Sequence, residues 1–348
     1  MKKLIPILIS FFVSAIIVPL MILISKKFNL YDKIDDRKIH SGQISRLGGV
    51  GILLGFASAI IYLIFETDVF KGMEQNIWFL IPAAFLIIIM GIIDDIKNLK
   101  ARIKLLTQII AASLVIIGGF KFKDISIGYW TINLGYFTYP LTFCWIIGIT
   151  NAINLIDGLD GLSGSISLIS ALTFGIFAYY DANMSAFYLC ITLACAICGF
   201  LIYNLPIPNA KIFMGDGGSQ FLGFALAIIP LTVTKTSSFV SLPYAIAILL
   251  IPIFDTIAAI WRRLREHRPI NSPDRFHLHH KLLLLGFSKR ITLGIIILLQ
   301  ILICTFLIFS LWLGRLTSMA LLITVYIMGV LFFSIIHFGK NQALRKQD

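Results

Sequence analysis

The sequence predicts an all-α, polytopic integral membrane protein of about eleven transmembrane helices, and three observations predict it. Of 348 residues, 58% are hydrophobic and only 13% charged, with a mean hydropathy of +0.93. A water-facing chain carries about 25% charged residues. The charges are clumped, and between the clumps lie apolar runs of the roughly 17–25 residues that cross ~30 Å of hydrocarbon as a helix. The basic residues are also lopsided, crowding into alternate loops.

In chain order the runs fall near 4–25, 47–65, 77–93, 103–119, 138–152, 162–180, 185–203, 219–234, 240–261, 291–313 and 317–338. The first follows Lys2 and Lys3 as a signal peptide would. It is longer than a signal-peptide core and lacks a small-residue cleavage site before Ser25, so it is read as a span. The run at 138–152 is the shortest. Between the fourth and fifth runs, residues 120–137 alternate (Phe120, Phe122, Ile125, Ile127, then Trp130, Ile132, Leu134) around Gly128. That period predicts a short β-hairpin on the outer face. Cys195 and Cys198 have metal-like spacing, but inside an apolar run they are read as packing. No internal repeat or low-complexity segment is visible, and the chain is treated as one domain, 1–348.

Orientation follows from the loops. Loop 26–46 holds six Lys+Arg, 94–104 four, 204–218 one, 262–290 eight and the tail after 338 three, which is 22 of the 29. The positive-inside rule places these loops and the C-terminus in the cytoplasm, and the N-terminus outside. The net charge of +12 is therefore chiefly a topology signal. Nucleic acid is excluded as a partner, because the basic residues flank spans instead of forming a soluble module.

Carboxylates near a bilayer are costly, about 2.5–3.5 kcal/mol at its centre. Yet Asp94, Asp95, Asp157, Asp160, Asp216 and Asp255 all sit at the cytoplasmic edges of runs, and a cation is the natural reason. Asp94-Asp95 ends the third run, where two adjacent carboxylates repel unless a cation or proton intervenes. An ordinary polar helix end is the alternative. Asn151, Asn154, Asp157 and Asp160 recur every third position, too widely for one helical stripe, and Gly158 and Gly161 favour a break or tight turn. A broken helix can gather carboxylates, amides and bare N–H groups around one ligand. Phe213-Met-Gly-Asp216-Gly-Gly-Ser219 enters the eighth run. Its glycines permit close approach and its helix N-terminus favours phosphate, although no Gly-Lys-Ser/Thr phosphate loop exists. Loop 262–290 carries His277, His279 and His280 among arginines without zinc spacing, a mixture suited to pyrophosphate. Asp36-Arg37-Lys-Ile-His40 and Arg46-Leu-Gly-Gly49 lie in loop 26–46, for which positive-inside alone is an adequate account. All five regions share one side of the membrane, as an enzyme with a water-soluble phosphorylated donor and a lipid acceptor requires.

These stretches, in this order, resemble the polyprenyl-phosphate N-acetylhexosamine-1-phosphate transferases along essentially the whole chain. The motifs are Arg37-Lys-Ile-His40, Asp94-Asp95-x-x-Asn98, Asn151-x-x-Asn154-x-x-Asp157-Gly-x-Asp160, Phe213-Met-Gly-Asp216-x-Gly-Ser219 and His277-x-His279-His280. The resemblance implies ten or eleven spans, an active site facing the cytoplasm of a bacterial inner membrane, and Mg²⁺, with Mn²⁺ as its substitute. It names Asp94, Asp95, Asp157 and Asp160 as catalytic, Asp94 or Asp95 acting on the acceptor phosphate. Asp216 with Asn154 would hold the metal. Asn151 and Phe213 would line the nucleotide pocket with Asp157 and Asp160, Phe213 stacking on uracil. Arg37, His40, His277, His279 and His280 would bind substrate. Position 98 is Asn where many relatives carry Asp, so no metal-ligand role is carried over to it. The implied partners are a UDP-N-acetylhexosamine, undecaprenyl phosphate, the bilayer and, in a homodimer, a second copy. Within the family, the chain resembles GlcNAc-1-phosphate transferases that start O-antigen, common-antigen or teichoic acid synthesis, ahead of the phospho-MurNAc-pentapeptide transferases. A transporter would place its acidic residues at the midplane and in repeated halves, and a non-catalytic scaffold would have lost Asp94, Asp95 or Asp216.

Overall fold

The computed structural model describes residues 2–28, 44–71, 73, 75–97, 99–127, 129–207, 209–232, 241–269, 272, 274 and 276–345. Arg37, His40, Asn98, Arg275 and Gly128 lie outside the described residues. Among the described residues thirteen α-helices follow one another: α1 Ile5–Phe28, α2 Gly48–Glu66, α3 Leu80–Lys97, α4 Ala101–Ile117, α5 Thr138–Ile156, α6 Leu162–Tyr180, α7 Met184–Asn204, α8 Gly215–Ile228, α9 Leu242–Ile248, α10 Leu250–Arg265, α11 Leu278–Leu284, α12 Lys289–Phe309 and α13 Arg315–Arg345. Between α4 and α5, β1 (Asp124–Ile127) pairs antiparallel with β2 (Trp130–Asn133).

Among the described residues, eight helical segments are long and apolar enough to cross a membrane, or nine if α9 and α10, bent by 84° at their junction, form one span. The chain is a multi-pass membrane protein. The remaining difference from eleven lies in α4 and α8, which have 17 and 14 residues, short of the ~20 that span hydrocarbon. The apolar run around α8 continues past the helix as a single 3-10 turn, Ile229–Thr232.

With no hydrophobic drive between helices in lipid, close packing depends on small residues. On one side of the bundle, α1 packs on α2 and α7. Ser10 and Ser14 donate hydrogen bonds to the carbonyls of Thr192 (2.6 Å) and Ala196 (2.7 Å), and a Cβ on Gly199 would meet the Phe11 carbonyl at 2.7 Å. The helices α6 and α7 are the most enclosed spans, α1 and α13 the most peripheral. The short α8 is wedged among α2, α3 and α5. It can enter because Gly49 faces Gly218 and Gly91 faces Gly217: a Cβ on either partner from α2 or α3 would lie 2.2 Å from a backbone Cα of α8.

Candidate active site

The N-terminus of α8 is the natural starting point. Four backbone N–H groups at a helix start lack intrahelical partners, and the residue preceding α8, Met214, supplies no side-chain cap. Asp95, from the end of α3, supplies it instead. Its Oδ1 accepts from the Asp216 N–H (2.8 Å) and its Oδ2 from the Gly217 N–H (3.1 Å). Gly215, at φ +76°, makes the entering turn. The preceding strand-like segment is fixed to loop 44–49: Phe213 N–H donates to the Ser45 carbonyl, and Gly48 and Gly49 N–H donate to the carbonyls of Phe213 and Met214. Phe213, half-buried, is thereby held by its backbone against Ser45 and Gly48.

Asp216, on the first turn, faces two side chains. Lys104 of α4 donates to its Oδ2 at 3.2 Å and also forms an ion pair with the buried Asp94. Asn154 of α5 donates its Nδ2 to Asp216 Oδ1 (3.2 Å) and to Ser219 Oγ (2.8 Å). The other oxygen of Asp94 accepts from the Leu99 N–H, so Asp94 shapes the α3–α4 turn that delivers Lys104. Asn151 is drawn elsewhere. It exchanges hydrogen bonds with Gln108 of α4, which also donates to Gln220 of α8, and it donates to the Ile147 carbonyl. Its structural place is in this amide ladder beneath the carboxylates.

The third-position pattern of 151–160 proves to be the end of α5 followed by a turn. Asp157 lies just past the helix. Gly161, at φ +78°, donates its N–H to Asn204 Oδ1 (2.9 Å), and Asn204 Nδ2 donates to the Ile212 carbonyl (2.8 Å). One buried amide thus ties the Asp157–Asp160 turn to the Phe213 segment. Burial, then the neighbouring charges of Asp216, Asp95 and Asp160, push the Asp157 carboxyl up to about 8. Its unfolded value is about 3.9. The folded protein therefore holds this proton more tightly, and the associated stability is lost as pH rises from about 4 through about 8. Without divalent metal, the thermal midpoint is expected to fall between pH 5 and 8. Asp157→Asn should flatten that slope in matched thermal-shift titrations. An unchanged slope would remove Asp157 as its source.

The histidine segment meets this turn from the other side. His279 is fully buried with neither ring nitrogen hydrogen-bonded, and a Cβ on Gly158 would stand 2.4 Å from its Nε2. Burial and the neighbouring His280 drive the imidazole down to about 3, keeping it neutral. His277, His279 and His280 run together, with centroid separations of 6.2 and 4.2 Å. Gly158→Ala is expected to separate the segment from the turn and cost on the order of 10²-fold in activity, as an ångström-scale misplacement does. A kcat within threefold of wild type would show that the contact is dispensable. Flanking it, Asp274 is held below the usual carboxylate range despite its burial, by Arg262 and the Phe276 N–H.

Four carboxylates (Asp94, Asp95, Asp157, Asp216) thus share a site with two cations, Lys104 and Arg46. Among the described residues no three His, Cys, Asp or Glu side chains form a complete metal cage. Mg²⁺ needs less: one or two protein carboxylates, with substrate phosphates completing its shell. The crowding of carboxylates that drives Asp157 toward its neutral form beside Asp216 is what such an ion would relieve. Asn154 turns its amide nitrogen, not its oxygen, toward Asp216. Lys104, Gln108, Asn204 and Asp255 were not among the site residues expected from sequence. Lys104 had registered only as a topology charge, and Asp255 only as one more interfacial acid.

Residues 77–234 match the model of glycosyl transferase family 4. A Bacillus subtilis protein named "Probable undecaprenyl-phosphate N-acetylglucosaminyl 1-phosphate transferase" is 36% identical over 305 residues, covering 86% of this chain and 83% of its own. The undecaprenyl-phosphate alpha-N-acetylglucosaminyl 1-phosphate transferases of Escherichia coli K12 and Salmonella typhi are 30% and 33% identical, covering 77% and 76% of this chain and 72% of their own. The chain belongs to glycosyl transferase family 4. The family 4 match contains Asp94, Asp95, Lys104, Asn154, Asp157 and Asp216, whereas Asp255 and the histidines lie beyond it.

Proposed function

We propose that the chain transfers GlcNAc-1-phosphate from UDP-GlcNAc to undecaprenyl phosphate, releasing UMP, with Mg²⁺ as cofactor. The reaction would open a cell-envelope polysaccharide pathway at the cytoplasmic face of the bacterial inner membrane. The observation that carries this reading is the gathering of Asp94, Asp95, Asp157 and Asp216 at the start of α8, with Lys104 paired to Asp94 and Asp216. It occurs in a chain whose relatives bear that transferase's name. In this reading α4 and α8 also traverse the bilayer, giving eleven spans, with the N-terminus and the β1–β2 hairpin outside and the C-terminus in the cytoplasm. The distribution of Lys and Arg supports that orientation.

An acceptor phosphate oxygen attacks the phosphorus that bears the sugar. A new P–O bond forms, the bond bridging the two donor phosphates breaks, and UMP leaves with the electron pair. Such chemistry is mostly positioning and electrostatics. Lys104 meets the charge of the two phosphates, and Asp94 holds Lys104. Asp95 acts by position, since both its oxygens fix the α8 amides. That engagement favours direct attack by the lipid phosphate over an aspartyl-phosphate. Asp216 and Asp157 would hold Mg²⁺, which when bound neutralises the donor diphosphate. Asn154 keeps Asp216 in place.

Purified protein supplied with labelled UDP-GlcNAc, undecaprenyl phosphate and Mg²⁺ is expected to yield lipid-linked GlcNAc and UMP, with no product in EDTA. Folded protein inert with this donor, UDP-GalNAc and UDP-MurNAc-pentapeptide would sink the enzymatic reading.

A further inference from the structure

We propose that Asp255 is the positioning residue of the histidine segment, fixing which nitrogen of His277 faces the substrate. The proposal rests on the transferase reading above for its kinetic arm, and on geometry alone for the rest. Asp255 lies on α10 and is 1% exposed. Its Oδ2 stands 2.8 Å from His277 Nδ1, and its Oδ1 accepts from the Leu278 N–H at 2.8 Å. The N-cap of α11 is His277 itself, whose side chain makes no capping bond. One carboxylate therefore seats the helix start and holds the imidazole.

The two tasks are separable. A cap needs one oxygen, and an asparagine could keep it. The second oxygen constrains the ring: a carboxylate only accepts, so His277 Nδ1 carries a hydrogen and Nε2 is the nitrogen offered outward. An asparagine would turn its NH₂ toward Nδ1 and favour the opposite tautomer, the logic by which a carboxylate orients a catalytic imidazole. The consequence is not confined to one ring. His277 lies parallel to His279, with 4° between the planes, and His279 abuts Gly158 in the turn that carries Asp157 and Asp160. Asp255 thus pins one end of a run of rings whose middle member abuts Gly158, the residue that follows Asp157.

The test compares Asp255→Asn, His277→Ala and the double variant, each full-length and purified in lipid nanodiscs. Steady-state kinetics with UDP-GlcNAc are combined with ¹⁵N spectra of histidine-labelled protein, where the signal lost in His277→Ala identifies His277. In wild type, Nδ1 of His277 is expected to be protonated. Asp255→Asn should lower kcat/KM about 10–100-fold, the usual effect of losing a group that orients a functional one, and leave the thermal midpoint within a few degrees. In the His277→Ala background the same change should cost less than about threefold, because residues acting as a unit are not additive. An equal loss in both backgrounds would overturn the proposal. So would a wild-type His277 carrying its hydrogen on Nε2 alone, a result that needs no variant to fold. Wild-type protein inactive with every donor would defeat the transferase reading, while the ¹⁵N result would still decide the role of Asp255.

Discussion

Asp216→Asn is expected to abolish transfer, by on the order of 10³-fold or more, without unfolding the protein. Asparagine keeps the shape and can still meet Asn154 and Lys104. It removes one of four clustered carboxylates, leaving Lys104 its ion pair with Asp94. Like charges crowded for function destabilise the fold that holds them, so the thermal midpoint in EDTA should be unchanged or raised. The stabilisation that Mg²⁺ gives wild type, a mass-action effect of any ligand that binds only the folded state, should largely disappear. Thermal shift with and without Mg²⁺, beside the transfer assay, separates the outcomes. A variant keeping a tenth of wild-type kcat would remove Asp216 from the centre of the site. A midpoint lowered by ten degrees would assign the loss to folding instead.

The second large effect is expected from a single methyl group. In Gly91→Ala the new Cβ would lie 2.2 Å from the Gly217 Cα and 2.8 Å from its N. Both are backbone atoms, with no side chain to rotate away, so α8 must retreat from α3 by roughly an ångström. Overpacking of this kind costs about 1–3 kcal/mol. It also draws the amides of Asp216 and Gly217 off Asp95, and the expected loss of activity is about 10²-fold. Gly148→Ala is the matched control: nothing lies within 4 Å of a Cβ there, and alanine is the better helix former by roughly 1 kcal/mol. Equal midpoints and equal kcat for the two variants would contradict the close approach of α3 and α8.

What the sequence made legible, and what it hid, follows from how far each signal reaches along the chain. Spans are written in local composition, and every expected run contains a helix. The shortness of α4 and α8 was invisible because an apolar run does not say where its helix stops. The acidic motifs stood out through the cost of charge near lipid, and Asp94, Asp95, Asn154, Asp157 and Asp216 do converge. The caps were hidden. A helix N-terminus is recognised by a polar residue just before it, but α8 and α11 are capped by Asp95 and Asp255, from 121 and 23 residues away in sequence. Lys104 was concealed by its company, one of four basic residues in a loop that topology already explained. Asn151 shows the opposite: its spacing matched its neighbours, while its partners are Gln108 and the backbone.

The right-angled junction of α9 and α10 has a consequence for the working environment of the site. The two helices meet at 84°, and α10 presents two different sides. Ile257, Trp261 and Leu264 are exposed along one side, whereas Asp255, Ala259 and Arg263 are buried along the other. The first stripe is apolar and suits contact with lipid. The second holds His277 through Asp255. The histidines thus hang, through one carboxylate, from a helix whose other side is left uncovered by the rest of the chain. A molecule pressing on the exposed stripe would therefore be felt at the histidines before it was felt at Asp94, Asp95 and Asp216, which are carried by other helices.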